Sequence, residues 1–276
     1  EVERLQREKK NEREKPCQAS VSDADAQFMW TSDHGLAPCY NVQLVTDGAH
    51  KLVVDVAVSK QPSDSHHLLP ALDRVLQQLG TYPHQAVADG DYTKREAVMG
   101  AAERGVDYYG SWGARPEERL PYGIDPAYHP AFFRYDEWSD QMICPEGQRL
   151  SHKVTKEQIG LQTHLFVAPR AVCQACPKRS LCTPQNRMAK HGRAVTVRVE
   201  PEAVQRYHAK METPEEKQIY KQRTPIAEFP HAWLKEKLKW TRLRCRSLLK
   251  AQAEALWTCL TYNLQRYFKL RTPQAA

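Results

Sequence analysis

Asp89 closes a short apolar run, Gln85-Ala-Val-Ala, and Asp23 closes a weaker one, Ala19-Ser-Val-Ser. A carboxylate at the end of a strand in an α/β sheet faces the crevice where such sheets gather their ligands. Two carboxylates there can hold Mg²⁺ or Mn²⁺, hard ions that take oxygen ligands. Two such ions about 3.5–4 Å apart can stabilise both the attacking and the leaving oxygen of a phosphoryl transfer. A third carboxylate, supplied by a helix, would complete the arrangement. Asp25 and Asp47 are rivals to Asp23 as the first acid, and Asp91 places a second negative charge beside Asp89. Taken singly, acids in such places more often cap turns or face water.

A second constellation is built from sulfur. Of the 8 cysteines, Cys144, Cys173, Cys176 and Cys182 cluster, while Cys17, Cys39, Cys245 and Cys259 are scattered. A Cys-x-x-Cys pair with two further cysteines suits tetrahedral Zn²⁺ held by four thiolates. Four protein ligands leave no open coordination position, so the zinc would be structural. Thiolates are too soft a donor set for Mg²⁺. Reduced cysteines without metal are the alternative, and His164 or His191 could replace one thiolate. A chain without a secretion signal favours metal over disulfides.

The third acid lies in Tyr220-Lys-Gln-Arg223-Thr-Pro-Ile-Ala-Glu228-Phe-Pro-His-Ala-Trp-Leu-Lys235. This stretch resembles the Tyr/Arg/Glu/Lys signature of bacterial insertion-sequence transposases, with one extra residue between Arg and Glu. Asp23-Ala-Asp-Ala-Gln-Phe-Met, Tyr40-Asn-Val-Gln, Ala88-Asp-Gly-Asp-Tyr and Glu254-Ala-Leu-Trp-Thr-Cys-Leu-Thr-Tyr-Asn-Leu-Gln are similar, in order, to further motifs of one subgroup. That subgroup also carries a four-cysteine insertion before its Glu. Ala24 stands where the subgroup usually has Pro, and Asp91 where it usually has Gly.

The resemblance implies a ribonuclease H-like fold, a mixed sheet flanked by helices, on which Asp23, Asp89 and Glu228 converge. It implies metal-dependent cleavage of DNA and transfer of the freed 3′-OH to target DNA. Double-stranded DNA, both element ends and target, would be the partner, bound by a homodimer or a higher assembly in the bacterial cytoplasm, at the nucleoid. Tyr220, Arg223 and Lys235 would contact that DNA. A nuclease of the same fold, or a truncated remnant that binds DNA without cutting it, are the alternatives.

Alternating residues in 40–46 and 51–58, with Asp47-Gly48 between them, predict an antiparallel hairpin. Leu68, Leu69, Leu72, Val75, Leu76 and Leu79 form a helical stripe, with Gly80 placed to cap it. A strand at 85–89, a helix at about 94–104 ending on Gly105, and a strand from Val106 follow. Residues 19–110 thus read as the first part of the catalytic domain and 111–205 as a loop-rich, cysteine-rich insertion. Residues 206–276 read as its helical remainder, with Pro230 in the first turn of the helix bearing Glu228 and Trp233 packed in the core. Seven Lys or Arg between Lys235 and Lys250, among them Lys239, Arg242, Arg244 and Arg246, predict a basic helix suited to phosphates.

Residues 1–18 read as a charged arm, or what is left of an N-terminal DNA-binding region. The chain lacks an initiator Met, so a fragment or processed product is expected. Hydrophobic residues at 41% and charged ones at 26% describe a folded protein rather than a disordered one. The +7 net charge favours anionic partners. No apolar run approaches the roughly 20 residues that span a bilayer.

Overall fold

The computed structural model describes residues 20–31, 35–113, 123–183 and 192–271. The chain divides into two compact units: Glu1–Ser111 with Met211–Ala276, and Trp112–Lys210. The proposed arm at 1–18 lies outside the described residues.

In the first unit β1 (Gln27–Trp30) pairs antiparallel with β2 (Leu36–Cys39), and β3 (Asn41–Thr46) with β4 (Val53–Ser59). The strand expected to end on Asp23 is absent: residues 20–26 form turns, and β1 begins only at Gln27. The Asp23 carboxylate accepts the Asp25 N–H at 3.2 Å and its carbonyl accepts the Ala26 N–H, which coils the backbone in place of a strand. The β3–β4 hairpin forms, though with a longer loop than a two-residue turn. It is closed by Asp47 N–H to Leu52 O and Lys51 N–H to Asp47 O, with Lys51 at φ 59°.

Helix α1 (Leu68–Leu79) buries Leu68, Leu72 and Val75, and Gly80 ends it at φ 76°. Its Arg74 forks onto the carboxylate of Asp55 in β4, with contacts of 2.8 to 3.0 Å to a side chain only 1% exposed. Strand β5 (Gln85–Ala88) runs into a 3₁₀ turn at Gly90–Tyr92, then α2 (Arg95–Glu103), then β6 (Asp107–Gly110), which pairs parallel with β5. Among the described residues these strands make separate two-stranded pairs rather than one continuous hydrogen-bonded sheet.

The second unit holds more regular structure than a loop-rich insertion. Strands β7 (Arg134–Asp136), β8 (Gln141–Ile143), β9 (Arg149–Gln158), β10 (Leu161–Val167) and β11 (Ala194–Val199) form a five-stranded antiparallel sheet in the order 11-10-9-8-7. Phe133, Met142, Leu150, Phe166, Ala168 and Val195 make its core. Between β10 and β11 lie two short helices, α3 (Arg170–Ala175) and α4 (Arg179–Cys182).

Helix α5 (Glu202–Glu212) leads to α6 (Pro214–Lys221), α7 (Arg223–Glu236) and α8 (Leu248–Arg271). Pro230 is buried inside α7, not in its first turn, because the helix starts as early as Arg223. Lacking an N–H, it leaves the Ile226 carbonyl without its helical donor. The basic stretch is not a helix: α7 stops at Glu236 and residues 237–247 form a loop. Lys239 at φ 53° and Ser247 at φ 71° are both left-handed, and the Glu254 carboxylate takes the backbone N–H of Arg244 and Cys245 at 2.7–3.0 Å.

Helix α8 lies along β4, burying Ala251, Ala255, Cys259 and Tyr262. Its amide side chains serve the free edge of that strand. Asn263 bonds both the N–H and the carbonyl of Val53, at 2.9 and 2.7 Å. Gln252 accepts from Val58 N–H at 2.7 Å and donates to Val56 O at 2.9 Å. The edge is thereby closed to another strand. Among the described residues no helix is long and apolar enough to cross a membrane.

Candidate functional site

Two of the three expected acids meet. Asp89 follows β5 and accepts the Gly90 N–H at 2.6 Å, which fixes it as the cap of the 3₁₀ turn. Glu228 projects from α7. Arg223, at the start of the same helix, places Nη1 3.5 Å from Asp89 Oδ2 and 3.8 Å from Glu228 Oε1. Both carboxylates are mostly exposed and the guanidinium is largely covered. One cation therefore balances two acids that would otherwise repel each other.

Helix α7 continues the site. Lys235 lies on the same helix as Glu228, about two turns on. His231 lies between them, and burial and the charge of Lys235 push its pKa down, while Glu228 pulls it up. Trp233 packs against the core around Leu234 and Tyr262, with its indole N–H donating to Gln265 at 2.8 Å. Tyr220 is half-buried at the end of α6.

A polar network that the sequence reading passed over steadies the Asp89 turn. Asn41 and Gln43, on one face of β3, donate to Asp64 Oδ1 at 2.6 and 2.8 Å. The Tyr92 hydroxyl, from the 3₁₀ turn, donates to Gln43 Oε1. Burial, then the charges of Asp64, Asp89 and Asp91, raise the Tyr92 pKa, so the phenol stays a donor. The only hint in the sequence was two amide residues at alternate positions of a strand.

The third acid is placed differently. Asp23 Oδ2 accepts the Tyr40 hydroxyl at 2.9 Å and the Ser247 N–H at 3.1 Å. Asp25 accepts the Leu248 N–H at 3.0 Å and pairs with Lys60 at 2.7 Å. Both carboxylates thus hold the positive N-terminal end of α8. Asp47 binds the His50 N–H within its hairpin loop. The neighbouring Gly48 lies against α7, where an added Cβ would stand 3.7 Å from Ile226 Cδ1.

Asp23 also lines a groove of about 880 Å³, together with Tyr40 and the loop from Trp240 to Arg246. Arg242, Arg244 and Arg246 are exposed there, as is Lys239 nearby in the loop. Their arrangement is a cationic rim with an indole beside it.

In the second unit Cys144, Cys173, Cys176 and Cys182 line one small cavity of about 20 Å³, together with Arg179 and Arg193. The thiols are free. The Gln148 and Arg193 N–H groups each donate to sulfur at 3.3 Å, on Cys144 and Cys173. Gly192 permits this approach, since a Cβ there would lie 2.7 Å from Cys173 Sγ. Burial raises the Cys182 pKa, against the pull of Arg193. His164 is placed elsewhere, bonded to Thr155 at 2.9 Å, and His191 lies outside the described residues. Neither among these thiols nor among the carboxylates is there, in the described residues, a group of three or more His, Cys, Asp or Glu arranged to hold a metal ion.

No curated protein and no solved structure matches the chain. Residues 143–268, under half of the chain, match the family model of the transposase DDE domain. The match spans the four cysteines, Tyr220, Arg223, Glu228, Lys235 and the basic loop, and it ends within α8. Over that stretch the chain is similar to the DDE domains of transposases.

Proposed function

We propose that this chain is the catalytic domain of a DNA transposase, cutting and joining DNA strands with divalent metal held at Asp89 and Glu228. The observation that carries it is the meeting of these two acids, far apart in sequence, at Arg223, in a chain similar to transposase DDE domains. The order of elements supports a ribonuclease H-like core: antiparallel strands first, then a parallel pair joined by a helix.

Carboxylate oxygens suit Mg²⁺ or Mn²⁺, and Arg223 offsets only one of the two acid charges, so the pair keeps a net negative charge that favours a metal cation. Such a metal, when bound, supplies an activated oxygen nucleophile and charge stabilisation at phosphorus. Asp89 and Glu228 orient the reacting centre, and Arg223 offsets the charge of whichever carboxylate is not fully engaged. Lys235, with Lys239, Arg242, Arg244 and Arg246, would bind the duplex backbone. Asp23 is our candidate for the third acid, and it must leave Tyr40 and Ser247 to serve. Asp47 is the rival favoured by its loop's contact with α7.

Asp89→Ala and Glu228→Ala are expected to abolish Mg²⁺-dependent strand cleavage while leaving duplex binding largely intact. Asp23→Ala and Asp47→Ala, tested alike, identify the third acid. An unsubstituted chain that binds DNA and never cuts it would mean a remnant. Cleavage without strand joining would mean a nuclease.

We also propose that Cys144, Cys173, Cys176 and Cys182, which share one cavity without being grouped for a metal as they stand, draw together around structural Zn²⁺. Their support is a shared cavity, N–H donors on two sulfurs, and Arg179 and Arg193 to offset thiolate charge. Elemental analysis of the reduced protein should find one zinc per chain. Finding none would overturn the assignment.

A further inference from the structure

The outward side of α8 is apolar along its length. Leu249 is 81% exposed and Trp257 69%, while Leu256, Leu260, Leu264 and Tyr267 are each 45–49% exposed. The opposite side of the same helix is already buried on β4. A helix apolar on both sides is ordinarily covered on both, and an apolar patch this continuous marks an interaction site.

The spacing of the stripe says what covers it. Leu249, Ala253, Leu256, Leu260, Leu264, Tyr267 and Arg271 follow one another at steps of three or four residues, the spacing of a helix–helix seam. The series also reads symmetrically about Leu260. Reversed on itself, it sets Leu256 against the partner's Leu264 and Leu260 against the partner's Leu260. It sets Ala253, the smallest member, against the partner's Tyr267, the largest, which is how facing layers interdigitate. Arg271, its one charged member, meets the partner's Leu249 rather than another cation. Its own guanidinium is held by the Tyr267 hydroxyl at 3.0 Å, which leaves the aliphatic stem for contact.

We infer that α8 is a self-complementary interface for a second copy of this chain, with two α8 helices packed antiparallel about a two-fold axis at Leu260. An interface that uses the same patch on both partners is the one a two-fold dimer requires. The six exposed side chains offer on the order of 500–700 Å² of surface per chain, taking about half of the area a large side chain buries. That approaches the roughly 800 Å² per partner of a stable interface. The inference rests on the surface alone and is independent of the metal chemistry.

Sedimentation of the full chain tests it. The expected mass is about twice 31.7 kDa, falling to a single chain in the double variant L256E/L264E with an unchanged circular dichroism spectrum. Should that variant fail to fold, cysteine trapping decides. L260C should cross-link to itself under mild oxidation, with mass spectrometry finding two copies of the peptide joined through the introduced thiol, whereas T261C, one residue around the helix, should not. A single-chain mass for the unsubstituted protein at micromolar concentration overturns the inference. So does a dimer that survives in a folded L256E/L264E, or self-linking by T261C in place of L260C.

Discussion

Arg223 and His231 give the acid pair its electrostatic setting. His231 sits one turn beyond Glu228 and one turn before Lys235 on α7, and three influences act on its ring. Burial disfavours the imidazolium, Lys235 repels it and Glu228 attracts it, with the first two prevailing. Its pKa therefore lies below the ordinary value of about 6.5. A histidine with a depressed folded pKa stays neutral as pH falls past 6.5 and charges only lower. Its contribution to stability is present above the unfolded pKa and is lost as pH falls through the folded one. Observed by NMR, the ring should titrate below 6.5. Lys235→Ala should move its midpoint up and Glu228→Gln should move it down. A midpoint unchanged in both variants would show that the three side chains do not share one helix face. At this scale Glu228 and Asp89 could be singled out in the sequence, because Tyr220, Arg223 and Lys235 frame the first and an apolar run ends on the second; the structure sets both beside Arg223, and their catalytic role is the proposal made above. The sequence did not disclose Asp64 or Tyr92. Their roles arise from hydrogen bonds to Asn41 and Gln43 across a turn, and no spacing along the chain encodes those bonds.

Among the elements, those whose periodicity decides the outcome were readable: α1 from its leucine stripe, the β3–β4 hairpin from alternation, β5 and β6 from short apolar runs. The failures have local causes. In β9 only Leu150 is buried, and most of the strand beyond it is exposed, so no apolar alternation marks it. The stretch 237–247 has the composition of a helix but is held open by one residue of the next helix. Glu254 takes backbone N–H groups from Arg244 and Cys245 and the indole N–H of Trp240. Burial alone would raise its pKa, but the N–H groups of Cys245 and Arg244 and the indole of Trp240 outweigh that and hold it low. For an acid with a depressed folded pKa, stabilisation is complete above the unfolded value of about 4.3. It is lost only as pH falls through the lower, folded value. Hydrogen exchange at the Arg244 and Cys245 amides should therefore stay slow at pH 5 and quicken only below the usual Glu range. In Glu254→Gln, which keeps the shape but loses the charge, both amides should be less protected at pH 5 and above, and the difference should close as the unsubstituted Glu254 protonates. Unchanged protection in that variant would show that the loop is held by something else.

For the molecule as a whole, the +7 charge matters through its placement. A regular helix would have spread the cations of 235–250 around its circumference, leaving some turned from any one surface. The loop instead sets Arg242, Arg244 and Arg246 along the rim of one groove, beside Trp240. All three arginines are exposed, and the loop between them is pinned at the Arg244 and Cys245 N–H groups by Glu254, a backbone anchor that leaves the guanidinium forks to face phosphates. Each phosphate neutralised releases counterions, and for duplex DNA the slope of log affinity against log salt is about −0.9 per contact. Binding should accordingly weaken steeply as salt rises, and R242A/R244A/R246A should flatten the slope by about 2–3. Asp89→Ala should leave the slope nearly unchanged, since a carboxylate contributes no phosphate contact. The two variants separate the reactions. One should lose affinity while cutting whatever DNA it holds at saturation, and the other should hold DNA without cutting it. A triple variant with the unsubstituted slope would remove the loop from the DNA-binding surface and return that role to Lys235 and the rest of α7.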